Sequence, residues 1–378
     1  MLTDPLHPDV SLSKPFHIWV LAPHLQTNDE NIDYYYDFSQ SIQEYTDVFK
    51  TLDLPWTWQP VTIHNYQSVI DSIKEQSAGT TPVILNLCDG DEVNGTPGVS
   101  VIHYLREKKL IYTGSDPSFY DNTTSKILMK ELFDKAGVSH ARWVAINHPE
   151  QKLETVCETI GTPLIVKPAV SGGSMGLGVK NVVHRTEELQ ELVAELFKGY
   201  RGWDFSFGGL VAEEFINGPE YTVFISGSYL SPENKKIYTP VERIFHESLP
   251  DTEKFLSFDR LWETYEAERP VGEQEDFYQY HLPPPELQQA IMDLSWEAYC
   301  AVEGTGYGRI DIRMDKNSGK LYVLEVNAQC GLSDDENYTS IGAIARLGNH
   351  PYAHMILHIL EDALQRHHQQ PKKAMALR

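Results

Sequence analysis

Two short segments near the carboxyl end, GRIDIRM at 308–314 and LYVLEVN at 321–327, carry the residues best suited to chemistry. Both read as strands. Side chains alternate along a strand, so Arg309 and Asp311 share one face, as do Glu325 and Asn327. A hairpin register with Asp311 opposite Glu325 also sets Arg309 opposite Asn327 and leaves 316–320 in the turn. One face then presents an arginine, two carboxylates and an amide. Hard oxygen donors of this kind suit Mg2+, with phosphates completing its shell. An adjacent arginine suits transferring phosphoryl or acyl oxygens. The same residues also fit a solvated strand pair laced by salt bridges, because the flanking Ile310, Ile312, Val323, Leu324 and Val326 do not fix the register.

A second feature is Lys167, at the end of the apolar run PLIVKP, followed by SGGSMGLG at 171–178. Glycines allow close backbone approach, and successive N–H groups can cradle phosphate oxygens. A plain glycine-rich hairpin turn accounts for the same residues. The pattern is not a Walker A loop, for no GKS or GKT follows, and GTGYG at 304–308 misses GxGxxG spacing. Lys126, on the first turns of a helix, reads by itself as an exposed solubilising lysine. HExxH and EF-hand patterns are absent, which counts against a zinc protease and a calcium protein.

The elements that must position these residues begin with FHIWVL at 16–21, a buried strand. A helix is expected within 32–54 and another over 65–76. PVILNLC at 82–88, bounded by Pro82 and the turn DGDEVNG, reads as a central parallel strand. A helix over 98–108 and a strand over 110–115 complete a doubly wound α/β unit. A turn over 115–122 precedes a helix over 123–136 that ends at Gly137. Then come strand 143–146, helix 149–160, strand 163–168, the glycine loop, strand 179–183 and helix 186–198. Strands over 210–216 and 221–227 flank the turn NGPE. The stretch 231–284 departs from this rhythm; nine acids against three bases between 251 and 276 mark it as a surface excursion or lid. Helix 286–303 leads into the hairpin. A helix over 351–367 precedes a frayed tail.

A chain of 378 residues implies two or three domains. Acids number 54 and bases 31, a net charge of -23 that argues against a nucleic-acid or anionic-membrane partner. A small anionic ligand needs only a few local cations. Cysteines 88, 157, 300 and 330 form no CxxC, so neither a disulfide framework nor structural zinc is expected. With no basic start before an apolar run and no long apolar stretch, the expectation is a cytoplasmic protein without signal peptide or membrane span.

Taken in order, YTGS at 112–115, Lys126, Lys167-Pro168 with its glycine loop, EEFINGPEYTV at 213–223, GRIDIR at 308–313 and EVNAQCGLS at 325–333 resemble the ATP-grasp superfamily, specifically proteins like D-alanine–D-alanine ligase. The resemblance implies a Rossmann-like α/β domain (1–115), two ATP-grasp lobes (116–205 and 206–370) and a tail (371–378). It implies that Lys126 and Lys167 contact ATP phosphates beneath a flap containing Gly172, Gly173, Ser174, Met175 and Gly176. Glu213, Glu214, Phe215 and Ile216 would form the adenine linker, and Glu220 would bind the ribose. Asp311, Glu325 and Asn327 would hold Mg2+, two ions being usual, with Mn2+ able to substitute. Arg309, Gly331 and Ser174 would serve catalysis.

The implied reaction joins a small-molecule carboxylate to an amine through an acyl phosphate, releasing ADP and phosphate; a homodimer is compatible with it. Departures fall where substrates are recognised. The family's first glycine loop and glutamate are missing, Glu30 being a weak stand-in. Ser171 and Gly173 replace a glutamate and a serine, Leu261-Trp262 replaces a Lys-Tyr pair, and Cys330 replaces a proline. Glu336 aligns with the substrate-binding serine, and Trp262, Ser333 and Glu336 become the candidate substrate contacts. These changes point to an amino-acid-like substrate. The alternatives are a strict D-alanine–D-alanine ligase and a non-catalytic nucleotide sensor or scaffold.

Overall fold

The computed structural model describes residues 15–25, 38–93, 95–199, 203–261, 268–272, 275–335, 337 and 339–376, by backbone alone beyond residue 368. Its first part runs β1 (Phe16–Pro23), α1 (Ser39–Thr51), β2 (Trp56–Val61), α2 (Tyr66–Gln76), β3 (Thr81–Asn86), α3 (Val99–Glu107) and β4 (Ile111–Tyr112). All four strands are parallel, in the order β2-β1-β3-β4. Val20, Leu21, Ala22, Ile84 and Leu85 are buried, as expected for strands covered on both faces. The helix expected within 32–54 occupies 39–51, and its expected start lies outside the described residues. β4 has two residues, fewer than the strand expected over 110–115.

α4 (Pro117–Thr124) and α5 (Lys126–Ala136) follow. The expected turn over 115–122 is thus largely helical. Asp116 caps it, accepting from the Phe119 N–H at 2.9 Å, with Pro117 at the first helical position. Ser125 stays extended between the two helices and caps the second, so the helix expected over 123–136 begins at Lys126. Gly137 closes it at φ 73°, the left-handed position its glycine predicts.

β5 (Trp143–Ile146), α6 (Val156–Ile160), β6 (Leu164–Pro168), β7 (Val182–Val183), α7 (Thr186–Leu196) and β8 (Leu210–Glu214) form the next unit. Its antiparallel sheet has the order β5-β8-β6-β7. α6 is shorter than the helix expected over 149–160, because Gln151 instead ties its side chain to the backbone of Ala145 and Asn147. The strand expected over 179–183 is a single 3-10 turn followed by β7. There the Asn181 side chain bonds the carbonyls of Val166 (2.7 Å) and Gly176 (2.8 Å), which holds the chain in its turn.

The last unit comprises β9 (Glu220–Ser226), β10 (Lys236–Ile237), β11 (Val241–Phe245), α8 (Phe258–Leu261), β12 (Tyr278–His281), α9 (Pro285–Ala301), β13 (Tyr307–Met314), β14 (Leu321–Ala328), α10 (Ser340–Leu347) and α11 (Tyr352–Ala376). Strands run β12-β11-β9-β13-β14, with β10 also on β9. The acidic stretch 231–284 is therefore more than a surface excursion: it contributes three strands and buries Phe255, Phe258, Asp259 and Arg260. α11 continues to Ala376, through residues expected to fray. Val20, Tyr45, Phe49 and Val83 share one core with Tyr352, Ile356 and Ile359 of α11, so the last helix is packed on the first sheet.

A polar joint also links these parts. Gln329, fully buried, donates to the Asn86 carbonyl and to Tyr307 Oη (3.1 Å), and accepts from the Ser115 N–H at 3.0 Å. Gly306 has φ +75°, and a Cβ there would stand 2.0 Å from the Gly114 carbonyl oxygen. Gly306→Ala therefore incurs left-handed strain of about 1–2 kcal/mol and overpacking of about 1–3 kcal/mol. The urea midpoint is expected to fall correspondingly, with an unchanged slope. A variant as stable as wild type would refute this.

Candidate active site

The hairpin register matches the expectation at its chemical end: Arg309 pairs with Asn327 and Asp311 with Glu325. A bulge follows, so that Ile312 pairs with Val323 and the turn spans 315–320, one residue longer than expected. Bulges bend a strand and re-aim its side chains, and this one adjoins both carboxylates. Arg309 donates Nε to both Asp311 oxygens (3.2 and 3.1 Å) and Nη2 to Oδ2 at 2.9 Å. Thr222, opposite on β9, donates to Asp311 Oδ1 at 2.9 Å. Asn327 Nδ2 donates to Asp311 Oδ2 (3.1 Å) and Glu325 Oε1 (3.4 Å).

Two carboxylates and an amide oxygen are hard donors of the kind Mg2+ takes, so the residues fit that ion. Asn327 turns its nitrogen toward the carboxylates here, and presenting its oxygen requires only an amide flip.

Lys126, at the first position of α5, donates to the Ser171 carbonyl at 3.1 Å and lies 3.9 Å from Glu325 Oε2. Burial lowers its pKa and Glu325 opposes that shift. Lys167 on β6 meets Glu213 Oε1 at 2.5 Å, and Lys130, one turn beyond Lys126, meets Oε2 at 2.5 Å. Burial alone would raise the Glu213 pKa, yet Lys130 and Lys167 hold it down at about 2. Lys167 shows the reciprocal effect: burial works against its charge, but Glu213 and Glu325 leave its pKa raised. Lys130 was missed in the sequence; its spacing of four from Lys126 on a helix was the available signal.

The linker continues with Glu214, whose Oε2 accepts from Arg142 Nε at 3.0 Å near the surface. Phe215 is buried with Ile165 and Phe255, and the Arg313 guanidinium lies 5.1 Å from its ring centre. The Ile216 carbonyl accepts from Arg313 Nη1 at 3.1 Å. Glu220 lies between two arginines, bonded to Arg243 of β11 and at 3.1 Å to Arg313 of β13. The registers account for this, since both arginines pair directly with Glu220. Arg313 extends the 309–311 alternation by one step, a signal that was present and unused.

The glycine loop is held against the acidic stretch. Ser174, at φ 58°, donates to the Leu256 carbonyl at 2.9 Å, Leu177 O accepts from the Phe258 N–H at 2.8 Å, and the Val179 N–H donates to Glu268 Oε1 at 2.9 Å. Glu268 is fixed in turn by Arg260 and Ser257, each at 2.8 Å. A Cβ at Gly172 or Gly331 would meet no atom within 4 Å, so both backbones are approachable. Gly173 and Gly176 take φ of 54° and 75°, and Met175 packs onto the core of the sheet around β6. Ser333, after β14, donates to Glu44 of α1 at 2.9 Å. Trp262 and Glu336, as well as Glu30, lie outside the described residues.

Residues 132–360, more than half of the chain, match the family model described as D-ala D-ala ligase C-terminus. The chain belongs to the D-alanine–D-alanine ligase family. Members of this family are ATP-grasp carboxylate–amine ligases, so the chain is an ATP-dependent, ADP-forming carbon–nitrogen ligase. Solved structures agree on the fold. The D-alanine–D-alanine ligase of Bacillus anthracis complexed with ATP is 18% identical, with a TM-score of 0.63, covering 94% of this chain and 99% of its own. The ligase of Coxiella burnetii is 16% identical, with a TM-score of 0.64, covering 96% and 99%. Among the described residues, no helix of this ligase-family chain is long and apolar enough to cross a membrane.

Proposed function

We propose that the enzyme activates the carboxylate of an amino acid or amino-acid-like molecule as an acyl phosphate and transfers it to an amine. The observation that carries this reading is the single sheet face bearing Arg309, Asp311, Glu325 and Asn327 beside Lys126 and Lys167. Lys126 and Lys167 bind the ATP phosphates, and the 171–178 loop, with Ser174, covers them. Glu213 to Ile216 receive the adenine beside Phe215, and Glu220, oriented by Arg243 and Arg313, takes the ribose. Asp311, Glu325 and Asn327 would hold Mg2+, in one or two ions, and the ion would offset phosphate charge when bound. Arg309 and the Gly331 N–H hold the reacting carboxylate and then the oxyanion formed when the amine attacks. The closed glycine loop keeps water from the acyl phosphate. No side-chain nucleophile takes part. The domain reading accompanies this proposal: a Rossmann-like domain over 1–115 and ATP-grasp lobes over 116–205 and 206–370.

The deciding experiment measures ADP release with panels of carboxylates and amines. Release is expected to rise only when both are supplied, with one coupled product by mass spectrometry. D-alanyl-D-alanine as the best product would replace the proposal by the strict D-alanine ligase. ATP binding with no stimulation by any pair would favour a nucleotide-binding scaffold.

A further inference from the structure

Arg313 lies two positions past Asp311 on β13 and is buried. Its guanidinium joins segments that are far apart in sequence. Nη1 donates to the Ile216 carbonyl at 3.1 Å, and Nη2 donates to Glu220 Oε2 at 3.1 Å and to the Lys254 carbonyl. Ile216 ends the linker and Glu220 opens β9, whereas Lys254 belongs to the acidic stretch. That stretch lies directly on the linker. The buried ring of Phe255 meets Phe215 edge-on, with ring centres 6.2 Å apart. Ile165 of β6 is buried with both rings, and Leu177 of the glycine loop packs against them. The Phe258 N–H then reaches the Leu177 carbonyl at 2.8 Å. Residues 254–258 thus form a strap across the linker and the glycine loop.

Two arginines hold this strap in different ways. Arg260, on α8, donates Nη1 to the carbonyls of Glu253 and Phe255 and Nη2 to Glu253 Oε2 at 3.1 Å. Those bonds stay within the acidic stretch, so they shape the strap without attaching it to the sheet. Arg313 takes the carbonyl between them, that of Lys254, from the sheet side. Glu220 keeps a second cation in any case, because Arg243 bonds its Oε1 and is itself held to Tyr280 Oη at 2.9 Å. What Arg313 adds is therefore connection rather than charge. One nitrogen, Nη2, serves both Glu220 and Lys254, so whatever fixes one acceptor fixes the donor of the other. A planar guanidinium transmits such a constraint, since its donors keep a fixed relation to each other.

We propose that Arg313 is a positioning residue that couples a ribose at Glu220 to the docking of the 254–258 strap, so that a nucleotide bearing its ribose hydroxyls fastens the strap and one lacking them does not. The inference rests on the reading of Glu220 as the ribose-binding acid and adds to it a route by which occupancy of that site is transmitted. Hydroxyls donating to Glu220 fix its carboxylate, the fixed carboxylate holds Nη2, and Nη2 then holds the Lys254 carbonyl at a smaller cost in conformational entropy. By linkage, the docked strap strengthens binding of the nucleotide by the same factor.

The strap amides are the reporter, because they exchange hydrogen with solvent when the strap leaves its partners. The full-length protein is compared alone, with ATP and Mg2+, and with 2′,3′-dideoxy-ATP and Mg2+, each nucleotide at a saturating level set by titration. Exchange in the peptide spanning 254–258 is read by mass spectrometry. ATP is expected to slow it about 10-fold, and the dideoxy nucleotide less than about twofold. Arg313→Met, which leaves Glu220 with Arg243, should remove the effect of ATP on the strap and narrow the preference for ATP over the dideoxy nucleotide in Kd. Arg313→Lys should also lose the strap effect although it keeps the charge, since one ammonium does not reproduce the fork. Equal slowing by the two nucleotides in wild type, a comparison that needs no variant, overturns the inference. So does the absence of slowing by bound ATP, or undiminished slowing in an Arg313→Met protein that unfolds cooperatively in urea. Each of these results leaves the ligase reading standing. Failure of wild type to bind ATP at all removes the nucleotide reading itself and this inference with it.

Discussion

Arg309→Ala is expected to lower kcat for coupled ADP release by about 10³-fold while the affinity for ATP changes less than about threefold. That rate loss corresponds to about 4 kcal/mol of transition-state stabilisation. The separation follows from position. Arg309 pairs across the sheet with Asn327 and Phe224, whereas the lysines proposed to hold nucleotide stand on α5 and β6 and are tied to Glu213 and Glu325. Burial disfavours the Arg309 charge, but Asp311 opposes that effect and its pKa ends raised. Only Nε and Nη2 bond Asp311, so among the described residues Nη1 stays available for substrate oxygens. Arg309→Lys should not rescue, because a point charge cannot hold Asp311 and a substrate oxygen in one planar fork. The measurement is kcat at saturating substrates beside ATP binding by titration. A parallel loss of ATP affinity would move Arg309 from catalysis to nucleotide binding.

The chemical end of the hairpin was readable because a period of two leaves few choices once charged residues must share a face: Arg309, Asp311, Glu325 and Asn327 came out paired as anticipated. The bulge was not readable. Leu324 is as apolar as Val323 and Val326, so the sequence carries no mark of the residue that drops out of register. Local propensity failed in a similar way at 115–125. There the turn residues Ser, Asp and Pro begin a helix, because Asp116 caps and Pro117 opens it. The residues hardest to foresee owe their place to distant partners. Gln329 meets Ser115 and Asn86 across more than two hundred positions. No spacing rule within one segment reaches such pairs.

Lys130 exposes a different limit, since a lysine at helical spacing normally reads as surface, yet this one is fully buried against Glu213. The trio of Lys130, Glu213 and Lys167 yields the largest expected effect on stability. Glu213→Gln leaves the buried Lys130 ammonium and the partly buried Lys167 ammonium facing each other without their shared anion, and breaking a buried ion pair in this way costs about 3–5 kcal/mol. Lys130→Met should cost less, because Lys167 and Glu213 remain a balanced pair. The double variant should therefore lose less than the sum of the two single losses, a coupling that a double-mutant cycle in urea reads directly. Acid provides an independent check. The folded pKa of Glu213, about 2, lies below its ordinary value of 4.5, so its contribution is present above about pH 4.5 and disappears as pH falls toward 2. That contribution is about 3 kcal/mol at neutral pH. Wild type should lose this stability between those limits, and Glu213→Gln, having no proton to gain there, should show a correspondingly flatter decline. Parallel acid curves for the two proteins, or strict additivity in the cycle, would mean that the trio does not act as one charge network.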